Sequence, residues 1–127
     1  MAKKFTFKGM EMEEVRKMPL EQFMKLIPTK IRRSMKRMAL KMRKFIDKLR
    51  HSDPKKPMKT HLREMVIVPE MLDRRFQIYN GKEWIDIMII PQMLGRRLGE
   101  YSIPIKMVKH SGPGIGATRG SKSVELK

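Results

Sequence analysis

Lysine and arginine side chains carry the clearest chemistry in this sequence. The chain has 30 of them against 13 aspartates and glutamates, so its formal net charge is +17. A small domain with so much like charge repels itself unless an anionic partner neutralises it. Guanidinium and ammonium groups at this density are typical of proteins that bind polyphosphates. The charge therefore favours nucleic acid as the partner, with an anionic membrane surface as the weaker alternative.

The basic residues are concentrated in the first half of the chain. Residues 1–60 hold 19 basic and 6 acidic side chains, a net charge of +13, whereas residues 61–127 hold 11 and 7, a net charge of +4. The element that must position most of this charge is the segment over residues 30–49, where basic side chains alternate with a regular apolar pattern.

Residues 30–49 predict one long amphipathic helix with Thr29 as its N-cap. Its apolar side chains recur at steps of four and three, at Ile31, Met35, Met38, Met42, Phe45 and Leu49. The remaining surface is basic and holds Arg32, Arg33, Lys36, Arg37, Lys41, Arg43, Lys44 and Lys48. Two interpretations stay open: a docked helix whose basic face is simply solvated, and one whose basic face lies along phosphates. A methionine-lined groove for apolar peptides is disfavoured because the methionines form one narrow seam.

The rest of the N-terminal half predicts short elements. Residues 1–9 are expected to form an extended basic arm, which is followed by short helices over residues 12–17 and 20–27. Prolines and charge predict a linker over residues 51–57.

After the linker the pattern changes from helical to alternating. Residues 65–69 predict a short buried strand, and residues 76–79 and 83–89 predict a hairpin around Asn80-Gly81. A two-residue turn would pair Phe76 with Ile85. The buried face of the hairpin is then expected to hold Phe76, Ile78, Ile85, Ile87 and Ile89.

The fold class predicted from these elements is α/β (α+β), with a small three-stranded sheet and flanking helices. Residues 91–95 predict a turn or a single helical turn, and residues 98–101 a compact loop. We divide the chain into a basic helical N-terminal region over residues 1–59, a small α/β core over residues 60–105 and a flexible, basic, glycine-rich tail over residues 106–127.

The sequence offers no constellation for catalysis or for metal binding. It has no cysteine, and His51, His61 and His110 lack metal-ligand spacing. No carboxylate pair suited to acid–base chemistry and no nucleophile elbow is evident, and the tail glycines do not match a phosphate-binding loop. We therefore expect no enzyme, no cofactor, no metal and no small-molecule substrate. No apolar run is long enough to span a bilayer, and the N-terminus does not resemble a secretory signal.

Three motifs, in the expected order, resemble the universal small-subunit ribosomal protein family numbered nineteen. Residues 63–71 read Arg-Glu-Met-Val-Ile-Val-Pro-Glu-Met and are similar to the family's Arg-x-x-x-Ile-x-Pro-Glu-Met segment. Residues 79–82, Tyr-Asn-Gly-Lys, resemble its hairpin, and residues 93–101, Met-Leu-Gly-Arg-Arg-Leu-Gly-Glu-Tyr, resemble its best-known motif. Residues 109–119 and the long basic N-terminal half resemble the archaeal and eukaryotic branch. Two positions depart from the family: Pro104 replaces a small hydroxyl residue, and Asp73-Arg74-Arg75 replaces a more neutral turn containing glycine.

The resemblance implies a cytoplasmic location in the ribosome, within the head of the small subunit. Its implied partners are small-subunit rRNA and a neighbouring head protein, with the tail near decoding-site tRNA and no membrane. The residues expected to bind rRNA are Arg32, Arg33, Lys36, Arg37, Arg63, Lys82, Arg96, Arg97, Lys106, Lys109, His110, Arg119 and Lys122. The alternative function is a non-specific, chromatin-type nucleic-acid-binding protein, which would explain the charge but not the motifs.

Not all basic side chains are expected to contribute equally. We expect Arg74 and Arg75 to contact RNA less than a second group, because Asp73 lies beside them and can satisfy them locally. The second group lies in or beside the matched motif and tail and consists of Arg96, Arg97, Lys106, Lys109 and Arg119.

Overall fold

The computed structural model of the chain describes residues 4–115 and residue 117. Four helices form the N-terminal half: α1 (Met12–Lys17), α2 (Leu20–Leu26), α3 (Thr29–Arg37) and α4 (Ala39–His51). Three strands follow: β1 (Met58–Thr60), β2 (Arg75–Tyr79) and β3 (Trp84–Met88). Short 3-10 helices cover Pro69–Met71, Pro91–Met93 and Leu98–Tyr101. The α+β fold with a three-stranded sheet is confirmed.

The single helix predicted over residues 30–49 is wrong, because the chain bends at Met38. Met38 ends α3 and begins α4, with φ −98° and ψ 16°. Its N–H still donates to the Ser34 carbonyl at 3.0 Å, and its own carbonyl accepts from the Met42 N–H at 2.9 Å. The hydrogen-bond ladder therefore continues through the bend, which explains why the apolar period is uninterrupted in the sequence. No proline or glycine marks the position, so the bend has no local signal.

The helix begins at Thr29 itself, with Pro28 as the N-cap, so the predicted N-cap was one residue late. Pro28 has no side-chain donor or acceptor, and its carbonyl accepts the N–H groups of Ile31 and Arg32, both at 3.0 Å. The start of α3 is fixed by the rigid φ of proline rather than by a hydroxyl cap.

The described end of the predicted extended arm folds back on itself. Phe7 and Met10 exchange backbone hydrogen bonds of 3.0 Å around Lys8 and Gly9, both of which have positive φ, 53° and 83°. This turn places the Phe7 ring against the Phe23 ring, with a centroid separation of 5.7 Å. Burial of an aromatic ring explains why this part of the arm is not extended.

The third strand of the sheet is not the one predicted. β1 pairs in parallel with β2, and β2 pairs antiparallel with β3. Residues 65–69 are buried as expected, but they pair with the later motif instead: the Ile67 N–H donates to the Arg96 carbonyl at 2.8 Å, and Leu98 N–H to the Met65 carbonyl at 2.9 Å. The apolar run correctly indicated that residues 65–69 are buried. The segment with which they form hydrogen bonds lies about 30 residues later in the chain, so the local pattern could not predict it.

The hairpin is confirmed, but its register differs by two residues from the prediction. Phe76 pairs with Ile87, and Ile78 pairs with Ile85, so the loop covers four residues rather than two. The Asn80 side-chain oxygen accepts the N–H groups of Lys82 at 2.9 Å and Glu83 at 2.8 Å, which stabilises the longer loop. A shift of two residues keeps every side chain on its predicted face.

Asp73 sets the entry to the hairpin. It adopts the left-handed conformation, φ 58°, which aspartate tolerates better than most residues other than glycine. Its N–H donates to the Ile89 carbonyl at 3.1 Å, and its carboxylate pairs with Arg16 of α1. Asp73 therefore has a partner in α1 rather than in the adjacent arginines.

One hydrophobic core joins the helices to the sheet. Phe45 of α4 stacks on Phe76 of β2 at 6.1 Å, and Met35, Met42 and Leu49 of the seam are buried in the same cluster. The seam is thus core, and the opposite surface of α3 and α4 is left to the basic side chains. No helix within the described residues combines the length and the apolar character needed to cross a membrane.

Candidate nucleic-acid interface

The basic surface of α3 holds Arg33, Lys36 and Arg37. All three side chains are exposed, and none forms an ion pair with any residue the structure describes. Their charges are held on a helix whose other side is fixed by buried Met35. Such a preorganised, unpaired set of cations can neutralise closely spaced phosphates.

Arg32, on the same helix, is used inside the protein. Its Nε donates to the Met24 carbonyl at 2.8 Å, and one terminal nitrogen donates to the carbonyls of Lys25 and Ile27 at 2.8 and 3.0 Å. These are unpaired carbonyls at the C-terminal end of α2, where a cation is favoured. Contact of Arg32 with rRNA stays a prediction, and its observed role is to join α2 to α3.

The motif over residues 93–101 packs against α3 through Arg97. Its terminal nitrogen donates to the Ser34 hydroxyl at 3.0 Å, and its backbone N–H donates to the Glu100 carboxylate at 3.4 Å. Ser34 lies one helical turn from Arg37, so Arg37 and Arg97 share one surface. The structure thereby brings together two groups of predicted residues that are about 60 positions apart in the sequence.

Arg96, next to Arg97, is exposed and lies beside Tyr101. Burial raises the pKa of the Tyr101 hydroxyl, and the Arg96 guanidinium partly offsets this by favouring the phenolate. Tyr101 is therefore neutral at physiological pH and can donate a hydrogen bond.

Arg63 forms an internal clamp, which the sequence did not reveal. Its two terminal nitrogens donate to the Tyr79 carbonyl at 3.1 Å, the Gly99 carbonyl at 3.1 Å, and the hydroxyl and carbonyl of Ser102 at 2.6 and 2.7 Å. Gly99 is required here because a Cβ at that position would lie 2.9 Å from the Arg63 carbonyl oxygen. Four internal acceptors occupy the four terminal N–H groups, so an rRNA contact by Arg63 stays a prediction.

A second group of predicted residues lies near the hairpin loop. Lys82 is exposed within that loop, and Lys106 pairs with the adjacent Glu83 at 3.5 Å. Lys109 and His110 are exposed further along the chain. Arg119 and Lys122 lie outside the described residues.

Arg74 and Arg75 have partners within the protein, although not the one expected. Arg74 donates to the Leu49 carbonyl at 2.6 Å, at the C-terminal end of α4, and Arg75 lies 3.7 Å from the Asp86 carboxylate. Their lower ranking as RNA contacts stays a prediction, which these internal partners favour.

The sequence did not predict the basic groove that lies between α4 and β1. Lys41, Lys44 and Lys48 line it from α4, and Lys59 and His61 line it from the β1 side. The sequence predicted that the three α4 lysines lie on the basic surface of the helix, but nothing in the sequence placed β1 opposite them. No group of His, Asp or Glu side chains suited to hold a metal occurs among residues 4–115 and 117.

Comparison with known proteins identifies the family. The model of the family described as ribosomal protein S19 matches residues 30–110, which include all of α3 except Thr29, and also α4, the sheet and the Arg96-Arg97 motif. The chain belongs to the ribosomal protein S19 family. The resemblance read from the three motifs is thus confirmed.

Relatives of the S19 family match nearly the whole chain. A protein of Metallosphaera sedula named small ribosomal subunit protein uS19 is 42% identical over 130 residues, covering 98% of this chain and 93% of the relative. Proteins of the same name from Methanococcus aeolicus and Methanococcus maripaludis are 42% and 39% identical, each covering 97% of this chain and 81% of the relative. All three relatives are archaeal, which agrees with the branch indicated by the basic N-terminal half.

Proposed function

We propose that this protein is a structural constituent of the small ribosomal subunit that binds rRNA in the subunit head and contacts a neighbouring head protein. Its family membership supports the ribosomal role. The proposal that it binds rRNA rests on one basic surface. There the exposed Arg33, Lys36 and Arg37 of α3, which form no ion pair with a described residue, lie beside the Arg96-Arg97 motif, which is joined to α3 by the hydrogen bond from Arg97 to Ser34. A chromatin-type role would explain the net charge but not the match to the ribosomal protein S19 family.

The mechanism is architectural rather than catalytic. Cations on a rigid helix displace condensed counterions from closely spaced phosphates, and the release of those counterions supplies most of the binding free energy. Contacts to phosphates fix the position and orientation of the protein on the RNA. Because the major groove of A-form RNA is too narrow for side chains to read, recognition is mainly of backbone shape. The resemblance also predicts a tail near decoding-site tRNA, and half of that tail lies outside the described residues.

The salt dependence of rRNA binding tests this proposal. If roughly 6–10 phosphates are neutralised, the affinity for a small-subunit rRNA fragment falls about 10³–10⁵-fold between about 50 and 200 mM salt. Removing three phosphate contacts by replacing Arg33, Lys36 and Arg37 with alanine lowers the slope of log affinity against log salt by about 2–3.

A matched triple variant provides the control. Replacement of Lys17, Lys25 and Lys55 with alanine removes the same charge from exposed positions on α1, on α2 and before β1. We expect its slope to change by less than about 1. Equal slopes for the two triple variants would refute the assigned surface, and failure of the wild-type protein to co-sediment with small subunits would refute the function itself.

A further inference from the structure

Three aromatic rings form a cluster on the outer face of the sheet. Tyr79 and Trp84 are cross-strand partners with ring centroids 5.2 Å apart, and His61 lies 4.9 Å from each. Trp84 is 38% exposed, although a ring of this size usually gains by being buried. The three rings lie outside the hydrophobic core, and in the part of the chain that the structure describes His61 and Trp84 are exposed.

The cluster adjoins the groove between α4 and β1, and His61 belongs to both. The groove has a volume of about 370 Å³, within the range of small-ligand sites. Phe45, Met58 and Leu62 contribute apolar surface to it. His61 lines the groove and contacts both other rings, and the Lys59 ammonium lies 5.5 Å from the centroid of the Trp84 ring. Groove and cluster are therefore one continuous surface.

The charge of this surface selects an anionic occupant. The described residues that line the groove include four lysines, namely Lys41, Lys44, Lys48 and Lys59, and no carboxylate. None of the four forms an ion pair within residues 4–115 and 117. On the same outer face of the sheet, the Asp86 carboxylate is already paired with Arg75. An acidic peptide would pair with the lysines, and a neutral peptide could pack against the rings. A nucleotide does both, because its phosphate pairs with the lysines and its base packs against the rings.

We propose that the groove and the cluster together bind an unpaired nucleotide of RNA, with its base stacked on the His61–Tyr79–Trp84 cluster and its phosphate among the α4 lysines. This site deepens the proposed rRNA binding and rests on it. Every base has a flat face that can stack on an aromatic ring. In a duplex those faces are covered by neighbouring base pairs, so only an unpaired or splayed-out base can use the rings. The basic surface of α3 would then hold backbone while this site selects a single-stranded element.

The fluorescence of Trp84 provides a direct test, because Trp84 is the only tryptophan of the chain. The full-length protein is titrated with a single-stranded oligoadenylate of about 8 nucleotides, a length within the range of single-strand sites, and with an RNA duplex that has the same number of phosphates. We expect the single strand to quench the Trp84 emission on binding and the duplex to bind with little change in emission.

Substitutions measure the contribution of the rings to affinity, read from the anisotropy of labelled RNA. Loss of one stacking interaction weakens binding about 5- to 150-fold. Trp84→Leu should therefore lower the affinity for the single strand by about 5- to 150-fold more than it lowers the affinity for the duplex. Trp84→Phe should recover most of the single-strand affinity that Trp84→Leu loses. His61→Ala, which retains the fluorescent ring, should reduce both the affinity and the quenching. Met88→Ala alters an exposed residue on the same face of β3 and should bind as the wild type.

The outcomes separate this site from the proposed function. Equal quenching by single strand and duplex, or wild-type single-strand affinity of a folded Trp84→Leu, overturns the stacking site and leaves rRNA binding by α3 intact. Absence of binding to both RNAs overturns the two proposals together. Far-UV circular dichroism of each variant establishes that it is folded before its affinity is compared.

Discussion

Replacing Arg63 with methionine should destabilise the free protein far more than replacing an equally charged surface residue. The change removes four hydrogen bonds that join the segment after β1, the end of β2 and the 3-10 helix Leu98–Tyr101. Both acceptors on Ser102 are left behind in a residue that is 0% exposed. Each buried acceptor that loses its partner costs about 1–3 kcal/mol, so the two predict a loss of about 2–6 kcal/mol. The carbonyls of Tyr79 and Gly99 are in half-buried residues, where water can replace part of the loss.

Urea unfolding of the RNA-free protein measures this loss. The transition is followed by circular dichroism and by Trp84 fluorescence at about 1 M salt, where the Debye length of about 3 Å suppresses charge repulsion. Arg33→Met is the matched control, since it removes the same charge and leaves the same side chain at an exposed position. Arg63→Lys should lie between wild type and Arg63→Met, because an ammonium cannot reproduce the planar fork. If Arg63→Met loses no more than the control, about 0.5 kcal/mol or less, the clamp does not stabilise the fold and the reasoning is wrong.

Three further predictions concern the free protein. Met42→Asp places a charge in the buried seam of α4 and should lower the helicity of the protein before any RNA is added. Leu40→Asp, at a position that is 75% exposed, should leave the helicity unchanged. Equal helicity of the two variants would contradict a buried seam. Gly99→Ala should cost about 1–3 kcal/mol, because the new Cβ would lie 2.9 Å from the Arg63 carbonyl oxygen. Gly112→Ala should be neutral in the same urea titration, because apart from its chain neighbours no described residue comes within 4 Å of the added Cβ. The net charge of +17 predicts partial unfolding at low salt, relieved by salt or RNA; amide signals that are fully dispersed over the free chain at about 10 mM salt, where the Debye length is about 30 Å, would argue against it.

The elements that the sequence predicted well are those encoded by local periodicity. Helix α1 and the inner face of the hairpin follow from patterns within a few residues, and Phe76, Ile78 and Ile87 are buried as expected. The wrong hairpin register did not disturb this face, because it differed by an even number of residues.

The elements that could not be predicted depend on distant partners. Residues 65–69 carried a correct burial signal, but their partner at Arg96 and Leu98 is set by tertiary folding. The bend at Met38 leaves the helical ladder nearly continuous and involves no breaker residue, so no pattern reports it. β1 is only three residues long and pairs in parallel, which gives little alternation to detect.

The candidate site shows the same division. Composition predicted an anionic partner, but it could not separate arginines that face solvent from those with internal acceptors. Arg33 and Arg32 are adjacent in the sequence, yet one is exposed and the other is bonded to the end of α2. Likewise, Trp84 and Lys44 share a surface only because α4 packs beside β1.

The bond from Arg97 to Ser34 has a consequence for synthesis on the ribosome. Its two residues are 63 positions apart, and the Phe45–Phe76 stack also joins the early helices to the later sheet. Translation proceeds from the N-terminus at about 5–20 residues per second. For several seconds α3 and α4 therefore exist outside the ribosome with their cations complete and the apolar seam still without the sheet against which it packs. Over that interval the nascent chain is a polycation with exposed methionines. A partner that covers the methionines, or RNA that binds the cations, would protect the chain most before residue 97 emerges.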